Sequence, residues 1–251
     1  VRFLRRVRDG EDPGRVFCEG QRLVEELLKS GWPPQELYCA ADQLDRVKEM
    51  LDRFSKPGVP VRVMTDPVMS FVSSVDTPPG VIAIAKKRPS SLVRTAAAPL
   101  ILVLNGLQLP QNVGAIFRTA EAAGVSEIWT TRGTADPFGP RALRGSSGSV
   151  FRIPVCPAGT LKEAAGVIAS SGAALVGATQ NGRVDYDRID WTRPTALVLG
   201  SEGGGFSDED AALFSETAKI PMAGSVESLN VAGAAAVCLF EAARQRRAAA
   251  R

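Results

Sequence analysis

The stretch TALVLGSEGGGFS, residues 195–207, joins an apolar segment to a glycine-rich turn. Its first six residues do not alternate between apolar and polar, which is typical of a strand covered on both faces in a parallel sheet. PLILVL, residues 99–104, has the same character. Three consecutive glycines, residues 203–205, follow the predicted strand of residues 195–200. They allow a tight turn and the close approach of a ligand. The pattern predicts an α/β domain built on a parallel sheet.

Outward from this stretch, strand and helix patterns alternate over residues 100–251. The predicted strands cover residues 100–104, 127–131, 173–178, 195–200 and 218–222. The predicted helices cover residues 113–123, 161–170, 208–214 and 228–246. Ser228 is the expected N-cap of the last helix, because its hydroxyl can accept a bond from a free backbone N–H.

A smaller α/β domain is predicted over residues 1–85, followed by a linker over residues 86–99 that is rich in charge, Ser, Ala and Pro. Its predicted helices cover residues 21–29 and 66–73, together with one capped by Asp42. The buried positions expected on that capped helix are Leu44, Val47, Leu51 and Phe54. The predicted strands cover residues 36–40, 59–64 and 80–85.

The composition excludes several kinds of chemistry. The chain has 251 residues, of which 45% are hydrophobic and 23% charged, as in an ordinary globular protein. It contains no histidine. This excludes Ser-His-Asp and Cys-His nucleophile systems, zinc sites that use imidazole, and imidazole as a general base. Any catalysis must use carboxylates, Arg, Lys, hydroxyls, amides or backbone groups.

The cysteines and the apolar runs indicate where the protein works. Four cysteines occur without a CxxC pair, each among apolar neighbours, so we expect small buried side chains, no metal and a reducing compartment. The apolar runs are far shorter than the ~20 residues of a membrane helix. The basic N-terminus lacks the apolar region of a signal peptide. We expect a soluble, cytoplasmic protein with no membrane partner.

The net charge of +3 is concentrated in the first part of the chain. One basic cluster lies at the N-terminus and another near residue 90, and either cluster can contact phosphates or form a solvated surface. The clusters consist of Arg2, Arg5, Arg6 and Arg8, and of Lys86, Lys87, Arg88 and Arg94.

Three loop-to-helix segments carry the candidate chemistry, because ligands of open α/β sheets bind at the carboxyl ends of strands. Residues 109–124 contain Asn112, which can be a simple N-cap, and Arg118 about two helical turns further on. Residues 197–207 contain Glu202, either a solvated turn residue or a hydrogen-bond acceptor. Residues 219–246 contain Ser228 and Asn230 at the start of the last helix.

Two nucleotide-binding signatures fail in these segments. The glycines of residues 200–205 do not follow the GxGxxG spacing, and no acidic residue lies ~20 positions further on. A P-loop needs a Gly-Lys dipeptide, which the chain lacks. A nucleotide-dependent oxidoreductase is therefore disfavoured.

Taken together and in order, the segments QNVGAIFRTAEAAG, LVLGSEGGGFS and IPMAGSVESLNVAGAA resemble the motifs of the SpoU/TrmH family of RNA ribose 2′-O-methyltransferases. RALRGSSGSVFRIPV, residues 141–155, resembles the stretch that this family carries between its first two motifs. The resemblance covers residues 100–246. The N-terminal segment FCEGQRLVEELLKSG, residues 17–31, is similar to the ribosomal-protein-like substrate-binding domain of rRNA-modifying members.

The resemblance implies properties that the residue patterns do not show. It implies a trefoil knot in the C-terminal domain, S-adenosyl-L-methionine (AdoMet) bound in that knot through backbone groups, no metal, and a homodimer. The implied cofactor-binding positions are Gly200, Ile220, Met222 and Leu229. The implied catalytic group is Asn112, Arg118, Glu202, Ser228 and Asn230.

The implied reaction suits a chain without histidine, since the methyl group on a sulfonium is already electrophilic. Family mechanisms often make the motif arginine a general base, but a guanidinium does not readily lose its proton. We expect Arg118 to grip the phosphate beside the target ribose and to orient the 2′-hydroxyl. Asn112, Ser228 and Asn230 would hold the arginine and the ribose in place.

The expected function is methyl transfer from AdoMet to a ribose 2′-hydroxyl of structured RNA, with rRNA favoured because tRNA-specific members often lack a separate N-terminal domain. The alternatives are a tRNA substrate and a catalytically idle RNA-binding or ribosome-assembly protein. An idle protein would bind RNA equally well without AdoMet and would tolerate Arg118→Ala.

Overall fold

The computed structural model describes residues 1–56, 58–88, 97–201 and 205–250. It divides into two compact units. The first consists of Val1–Pro89 and Asp136–Arg152, and the second of Ser90–Ala135 and Ile153–Arg251. A segment from far along the chain thus completes the first unit. Residues 89–96 of the predicted linker lie outside the described residues.

The first unit surrounds a four-stranded sheet in the order β1-β4-β2-β3. Strand β4 pairs antiparallel with β1 and β2, whereas β2 and β3 are parallel. In chain order the elements are α1 (Arg2–Arg8), β1 (Arg15–Glu19), α2 (Gln21–Lys29), β2 (Pro34–Ala40), α3 (Leu44–Arg53), β3 (Val61–Met64), α4 (Asp66–Val72), β4 (Val81–Lys86) and, from the later segment, α6 (Pro140–Ser146).

The apolar stripes explain why these helices form where they do. Helix α2 buries the four residues that its periodicity places on one face, Leu23, Val24, Leu27 and Leu28. Helix α1 buries Leu4 and Val7 although four of its seven residues are arginines. The basic N-terminus is therefore part of the folded unit rather than a solvated tail.

The predicted cap of α3 is wrong. Ala41–Gln43 form a 3₁₀ turn, the helix begins at Leu44, and Gln43 occupies the N-cap position. The Asp42 carboxylate instead accepts a hydrogen bond from the Gln43 side chain at 2.9 Å. The extra turn moves Asp42 away from the first free N–H groups of the helix, so its carboxylate cannot cap them. Val47 and Leu51 are buried as predicted, whereas Leu44 and Phe54 are half-buried.

The second unit contains a seven-stranded sheet in the order β7-β6-β5-β10-β8-β11-β9, with every pair parallel. This confirms the predicted parallel α/β class. In chain order the remaining elements are β5 (Leu100–Leu104), α5 (Pro110–Ala123), β6 (Glu127–Thr130), β7 (Val155–Pro157), α7 (Leu161–Ala169), β8 (Ala174–Ala178), β9 (Val184–Asp185), β10 (Thr195–Leu199), α8 (Asp208–Ala211), β11 (Glu216–Lys219) and α9 (Val231–Ala249).

The central strands are covered on both faces. All five residues of β5 and all five of β10 are buried. This explains why neither strand alternates in sequence. Helices α5 and α9 pack against each other, so the last helix of the chain returns to the helix that follows the first strand of this sheet.

Several boundaries in the second unit correct the sequence-based expectation. Helix α5 begins at Pro110 rather than at residue 113, so its N-cap is Leu109 and not Asn112, and α8 ends at Ala211 rather than at residue 214. The last strand covers Glu216–Lys219 rather than 218–222, because two polar residues take part in the ladder with β8. The last helix begins at Val231, and its N-cap is Asn230 rather than Ser228. The Asn230 side chain accepts a hydrogen bond from the Ala232 backbone N–H at 2.9 Å, which is the contact expected of an N-cap.

Candidate active site

Several of the parallel strands end at the same edge of the sheet. Leu199 of β10 lies opposite Leu104 of β5 and Ala178 of β8, and Ala178 lies opposite Ala218 of β11. The residues that follow these strands therefore leave the sheet side by side. This is the carboxyl edge, where open α/β sheets bind their ligands.

A cavity of about 410 Å³ lies at this edge. Its wall includes all four residues predicted to bind the cofactor, Gly200, Ile220, Met222 and Leu229. Ser228, predicted as part of the catalytic group, also lines it. The volume falls in the range of sites that enclose a small molecule, ~300–1,000 Å³. The structure thus brings together residues that lie up to 29 positions apart in the sequence.

Gly200 is a glycine because of close packing. A Cβ atom here would lie 3.0 Å from the carbonyl oxygen of Gly205 and 3.0 Å from the ring of Phe206. Ser201 and Gly205 form an isolated antiparallel bridge. The Phe206 ring is held edge-on against Phe214, with centroids 4.7 Å apart. Gly200, Ser201, Gly205 and Phe206 all line the cavity.

The segment between β11 and α9 offers backbone groups to a ligand. Residues 220–229 make no backbone hydrogen bond with another residue that the structure describes. Residues 220 and 222 are half-buried and the others are exposed, so their free N–H and C=O groups can bond to water or to a ligand. A ligand in the cavity can supply those partners, which agrees with the backbone-mediated binding that the resemblance implies.

Some cavity residues were missed from the sequence. Thr179, Gln180 and Asn181 line the cavity directly after β8, and Glu227 lines it just before Ser228. The signal for the first three was present, because they follow a predicted strand whose carboxyl end lies beside that of β10. Glu227 had no comparable signal.

The predicted catalytic residues lie at the starts of two packed helices. Asn112 is in the first turn of α5, and Asn230 caps α9. The Asn230 side-chain amide donates a hydrogen bond to the Asn112 side-chain oxygen at 3.3 Å. The two asparagines, 118 positions apart in sequence, are therefore in direct contact. Glu202 lies outside the described residues.

Arg118 is exposed on α5, while its neighbours Ile116, Phe117 and Ala120 are buried. Its guanidinium forms no ion pair or hydrogen bond with any other described residue. An unpaired guanidinium carries five donors in a planar fork that matches a phosphate. Arg118 is thus available to an anionic substrate.

The cysteines are not nucleophiles of this site. All four are buried, and none of them forms a disulfide. Burial raises the pKa of the Cys238 thiol on α9 to about 12, so this thiol stays protonated at neutral pH. Burial also raises the pKa of Cys18 and of Cys39. The prediction that the cysteines are buried is confirmed.

Two properties of the described ranges, residues 1–56, 58–88, 97–201 and 205–250, concern metals and membranes. No group of three or more acidic or cysteine side chains within them could hold a metal ion. None of the helices within them is long and apolar enough to cross a bilayer.

Comparison with known proteins defines the family. Residues 99–240 match the model of the SpoU rRNA Methylase family, and residues 1–83 match the MRM3-like substrate binding domain. The fold and these matches define an AdoMet-dependent RNA methyltransferase of the trefoil-knot type, as the motifs predicted. More particularly, the chain belongs to the SpoU rRNA methylase family.

Two curated relatives are 23S rRNA methyltransferases. The uridine(2479)-2′-O enzyme of Streptomyces viridochromogenes is 31% identical over 241 residues, which are 93% of this chain and 84% of the relative. The guanosine(2553)-2′-O enzyme RlmP of Bacillus subtilis is 34% identical over 228 residues, 89% of this chain and 86% of the relative. The two act on different bases, so neither identifies the target base of this chain.

Solved structures extend the comparison. The SpoU methyltransferase AviRb from Streptomyces viridochromogenes, in complex with AdoMet, superimposes with a TM-score of 0.88 at 27% identity, covering 98% of this chain and 97% of its own. The A. aeolicus TrmH/SpoU tRNA modifying enzyme superimposes with a TM-score of 0.55 at 26% identity, covering 60% of this chain and 77% of its own.

The residues of the cavity fit AdoMet. Apolar side chains, among them Met222, Leu229 and Phe206, suit the purine ring and the methylene groups of the methionine part. The backbone groups of residues 220–229 suit the polar ends of such a molecule. The close packing at Gly200 keeps the wall free of a side chain that would fill the cavity.

Proposed function

We propose that the chain transfers a methyl group from AdoMet to a ribose 2′-hydroxyl of ribosomal RNA. The observation that carries this proposal is the cavity at the carboxyl edge of the sheet, which gathers Gly200, Ile220, Met222 and Leu229 beside Ser228. Both curated relatives named above act on 23S rRNA, and they align with nine-tenths of this chain.

The extent of the match favours rRNA over tRNA. The rRNA relatives and AviRb align over both units, whereas the tRNA modifying enzyme covers 60% of this chain. Residues 1–83 match a domain named for substrate binding. The N-terminal domain, residues 1–85, would bind the RNA, and the C-terminal domain, residues 100–251, would carry out the reaction. The cytoplasm remains the predicted location.

Arg118 is the residue that we assign to the substrate phosphate. When bound, AdoMet supplies a methyl group made electrophilic by its positively charged sulfur. The task left to the protein is to place the 2′-hydroxyl and to let its proton leave. The exposed guanidinium of Arg118 would hold the neighbouring phosphate with two parallel hydrogen bonds. The phosphate or a water molecule would take the proton.

Asn112 and Asn230 are assigned to positioning. Their mutual hydrogen bond ties the first turn of α5 to the start of α9. It therefore joins the helix that carries Arg118 to the segment that lines the cavity. Ser228 lines the cavity two residues before Asn230 and would contact the ribose. Glu202 keeps its predicted role as a hydrogen-bond acceptor in the catalytic group.

A homodimer fits the exposed side of the last helix. On α9, Phe240 is 46% exposed, and Gly233 and several neighbouring small or apolar residues are exposed or half-exposed. An apolar face of this kind is usually covered by a partner. A second copy of the chain is the partner we propose.

The test is transfer of labelled methyl from AdoMet to unmodified rRNA and, separately, to tRNA. We expect label in rRNA, located at a ribose by resistance of the adjacent linkage to alkali, and none with Arg118→Ala. Label confined to tRNA would overturn the choice of substrate. RNA binding that is independent of AdoMet and of Arg118, without transfer to either RNA, would favour the idle RNA-binding protein.

A further inference from the structure

The first unit carries an aromatic side chain and several arginines on the surface formed by α1 and α4. We call Arg2, Arg5, Arg8 and Phe71 the Arg5–Phe71 platform. Helices α1 and α4 contact each other, so residues far apart in sequence share this surface. The active site described above does not use any of the four.

Phe71 points away from the core. Its neighbours Met69 and Val72 on α4 are buried, whereas Phe71 is 57% exposed. The guanidinium of Arg5 lies over the Phe71 ring, 4.7 Å from its centroid. More than half of the aromatic residue remains open to a ligand, with a cation fixed beside it.

Arg8 holds this arrangement in place. Its guanidinium donates hydrogen bonds to the backbone carbonyls of Phe71, Val72 and Ser73, at 3.5, 3.3 and 3.0 Å. It also pairs with Asp9 at 2.7 Å. These bonds fix α1 against the carboxyl end of α4, so the platform exists before a ligand arrives. Preformed sites lose less conformational entropy on binding.

The charge of the platform favours an anionic ligand. Helix α1 contains no acidic residue. Arg2 and Arg5 form no ion pair with another residue in the described part of the chain, whereas Arg6 pairs with Glu11. The exposed guanidinium of Arg5 therefore lies over an exposed ring without an ion pair to a described residue, and Arg2 lies about one helical turn away on α1.

We propose that the Arg5–Phe71 platform binds an unpaired nucleotide of the RNA substrate, with the base stacked on Phe71 and the backbone phosphates held by Arg2 and Arg5. Aromatic rings and guanidinium planes are the surfaces on which unstacked RNA bases are recognised, and cations follow the backbone. The platform rests on the proposed function for its ligand, but not on the geometry of the active site.

A second aromatic residue in the same unit provides the matched control. Phe3 on α1 is 38% exposed, and the Arg15 guanidinium lies 5.4 Å from its ring centroid. Arg15 is already neutralised by Asp12 at 2.6 Å and bound to the Gln35 side chain at 3.0 Å. This pair has similar chemistry without free charge, so it should contribute little to RNA binding.

The experiment uses the full chain and two fluorescent RNA probes of equal length, a hairpin with an unpaired loop and a fully paired duplex. We expect Phe71→Ala to weaken hairpin binding about tenfold, within the range that stacking of one base supplies. Duplex binding should change by less than about twofold, because a paired base cannot stack on the ring. Phe71→Tyr should restore hairpin binding, and Phe3→Ala should resemble the unmodified chain.

Arg5→Gln tests the phosphate contact. It should weaken hairpin binding and lower the slope of log affinity against log salt by about one unit. Equal losses for hairpin and duplex in Phe71→Ala, equal losses in Phe3→Ala, or no loss in Phe71→Ala would each overturn the proposal. So would a Phe71-dependent interaction with phosphatidylserine vesicles in place of the hairpin. Thermal unfolding of each variant checks that the exposed substitutions leave the fold intact.

The failure of the platform and the failure of the proposed function give different results. Methyl transfer to rRNA by the unmodified chain, with hairpin binding unchanged in Phe71→Ala, would reject only the platform. Hairpin binding that depends on Phe71, in a chain that transfers no methyl group to rRNA or tRNA, would support the platform and reject the proposed reaction.

Discussion

Two regions of the molecule use arginine in opposite ways. Where residues 136–152 complete the first unit, Arg152 pairs with Glu26 at 2.8 Å, and the Trp32 indole donates to the Phe151 carbonyl at 3.0 Å. In the second unit, Arg118 is exposed and has no partner among the described residues. The first region satisfies its polar groups internally and so contributes to folding. The second keeps its donors available, which is expected of a site that binds a substrate.

The largest effect should come from Arg118. Arg118→Ala should lower kcat for methyl transfer by about 10²- to 10³-fold, the loss expected when a preorganised donor is removed. AdoMet affinity and melting temperature should not change, because the side chain is exposed and lies outside the cavity wall. Labelled methyl transfer, calorimetric titration with AdoMet and thermal unfolding measure the three quantities.

Two further variants sharpen this test. Arg118→Lys keeps the charge but loses the planar fork, so most of the turnover should be lost. Arg193→Ala removes an exposed arginine that pairs with Asp190 at 2.9 Å, and it should leave turnover unchanged. Turnover largely retained by Arg118→Lys would mean that a point charge suffices and that the bidentate role is wrong.

The opposite outcome is expected at Trp32. Trp32→Phe keeps the ring but removes the N–H that bonds the Phe151 carbonyl. A buried carbonyl left without its partner costs about 1–3 kcal/mol. The free energy of unfolding should fall by that amount, while kcat of the folded protein stays unchanged. A loss of kcat without a loss of stability would show that Trp32 takes part in the reaction. It would contradict the assignment of this region to folding alone.

Substituting one glycine in the cavity wall and one on a helix surface tests the packing of the cavity. Gly200→Ala would place a methyl group 3.0 Å from the Gly205 carbonyl and the Phe206 ring, so the wall must shift and AdoMet affinity should fall about tenfold, within the cost of overpacking. Gly166→Ala on the exposed side of α7 is the control, since its Cβ would meet no atom within 4 Å. It should stabilise α7 by about 0.5–1 kcal/mol. Calorimetry with AdoMet and thermal unfolding measure both variants, and equal AdoMet affinity in the two would contradict the packing argument.

Asn230 has a part in both folding and function. Asn230→Ala should lower the free energy of unfolding by about 1 kcal/mol, because the helix loses its N-cap, and should also lower kcat through the lost contact with Asn112. Asn230→Ser keeps a capping oxygen but is too short to replace the amide contact. It should restore stability measured by denaturant and leave kcat low. If Asn230→Ser restored both the stability and kcat, Asn230 would act only as the N-cap of α9.

The smallest effect concerns acid stability. The hydrogen bond from Lys29, followed by the contact with Arg152, holds the pKa of the Glu26 carboxyl below its usual value. A lowered folded-state pKa means that Glu26 stabilises the fold at neutral pH, and that this contribution is lost as the pH falls below about 4.3 and through the lowered pKa. Glu26→Gln should therefore melt lower at pH 7 and lose less stability between pH 5 and pH 3. If the melting temperatures of the unmodified chain and of Glu26→Gln fell equally between pH 5 and pH 3, the ion pairs of Glu26 would not contribute to stability.

Local patterns predicted much of the second unit. The unalternating strands β5 and β10 and the helix after Asn112 were identified because their apolar residues are continuous or regularly spaced. The sequence predicts the start of the last strand two residues too far along the chain. The reason is that Glu216 and Thr217 are polar although they pair with β8. Ser228 and Asn230 are equally good caps in sequence, and only the tertiary structure selects one.

The rest depended on contacts between distant residues. Helix α1 was missed because four arginines obscure its two buried residues, Leu4 and Val7. No local pattern assigns residues 136–152 to the first unit, because their partners lie about a hundred positions earlier. Likewise, periodicity does not bring residues 220–229 to Gly200. That prediction came from family resemblance, and the structure supplies the shared cavity but not the individual roles.

The discontinuous first unit has a consequence for how the protein is made. Trp32 and its partner Phe151 are 119 positions apart. At a synthesis rate of about 5–20 residues per second, roughly 6 to 24 s separate their appearance on the ribosome. During that interval the indole lacks the side chains that later cover it, Phe138 and Phe151. The N-terminal region therefore cannot complete its fold until residues 136–152 have emerged, and until then it exposes the apolar surface of Trp32.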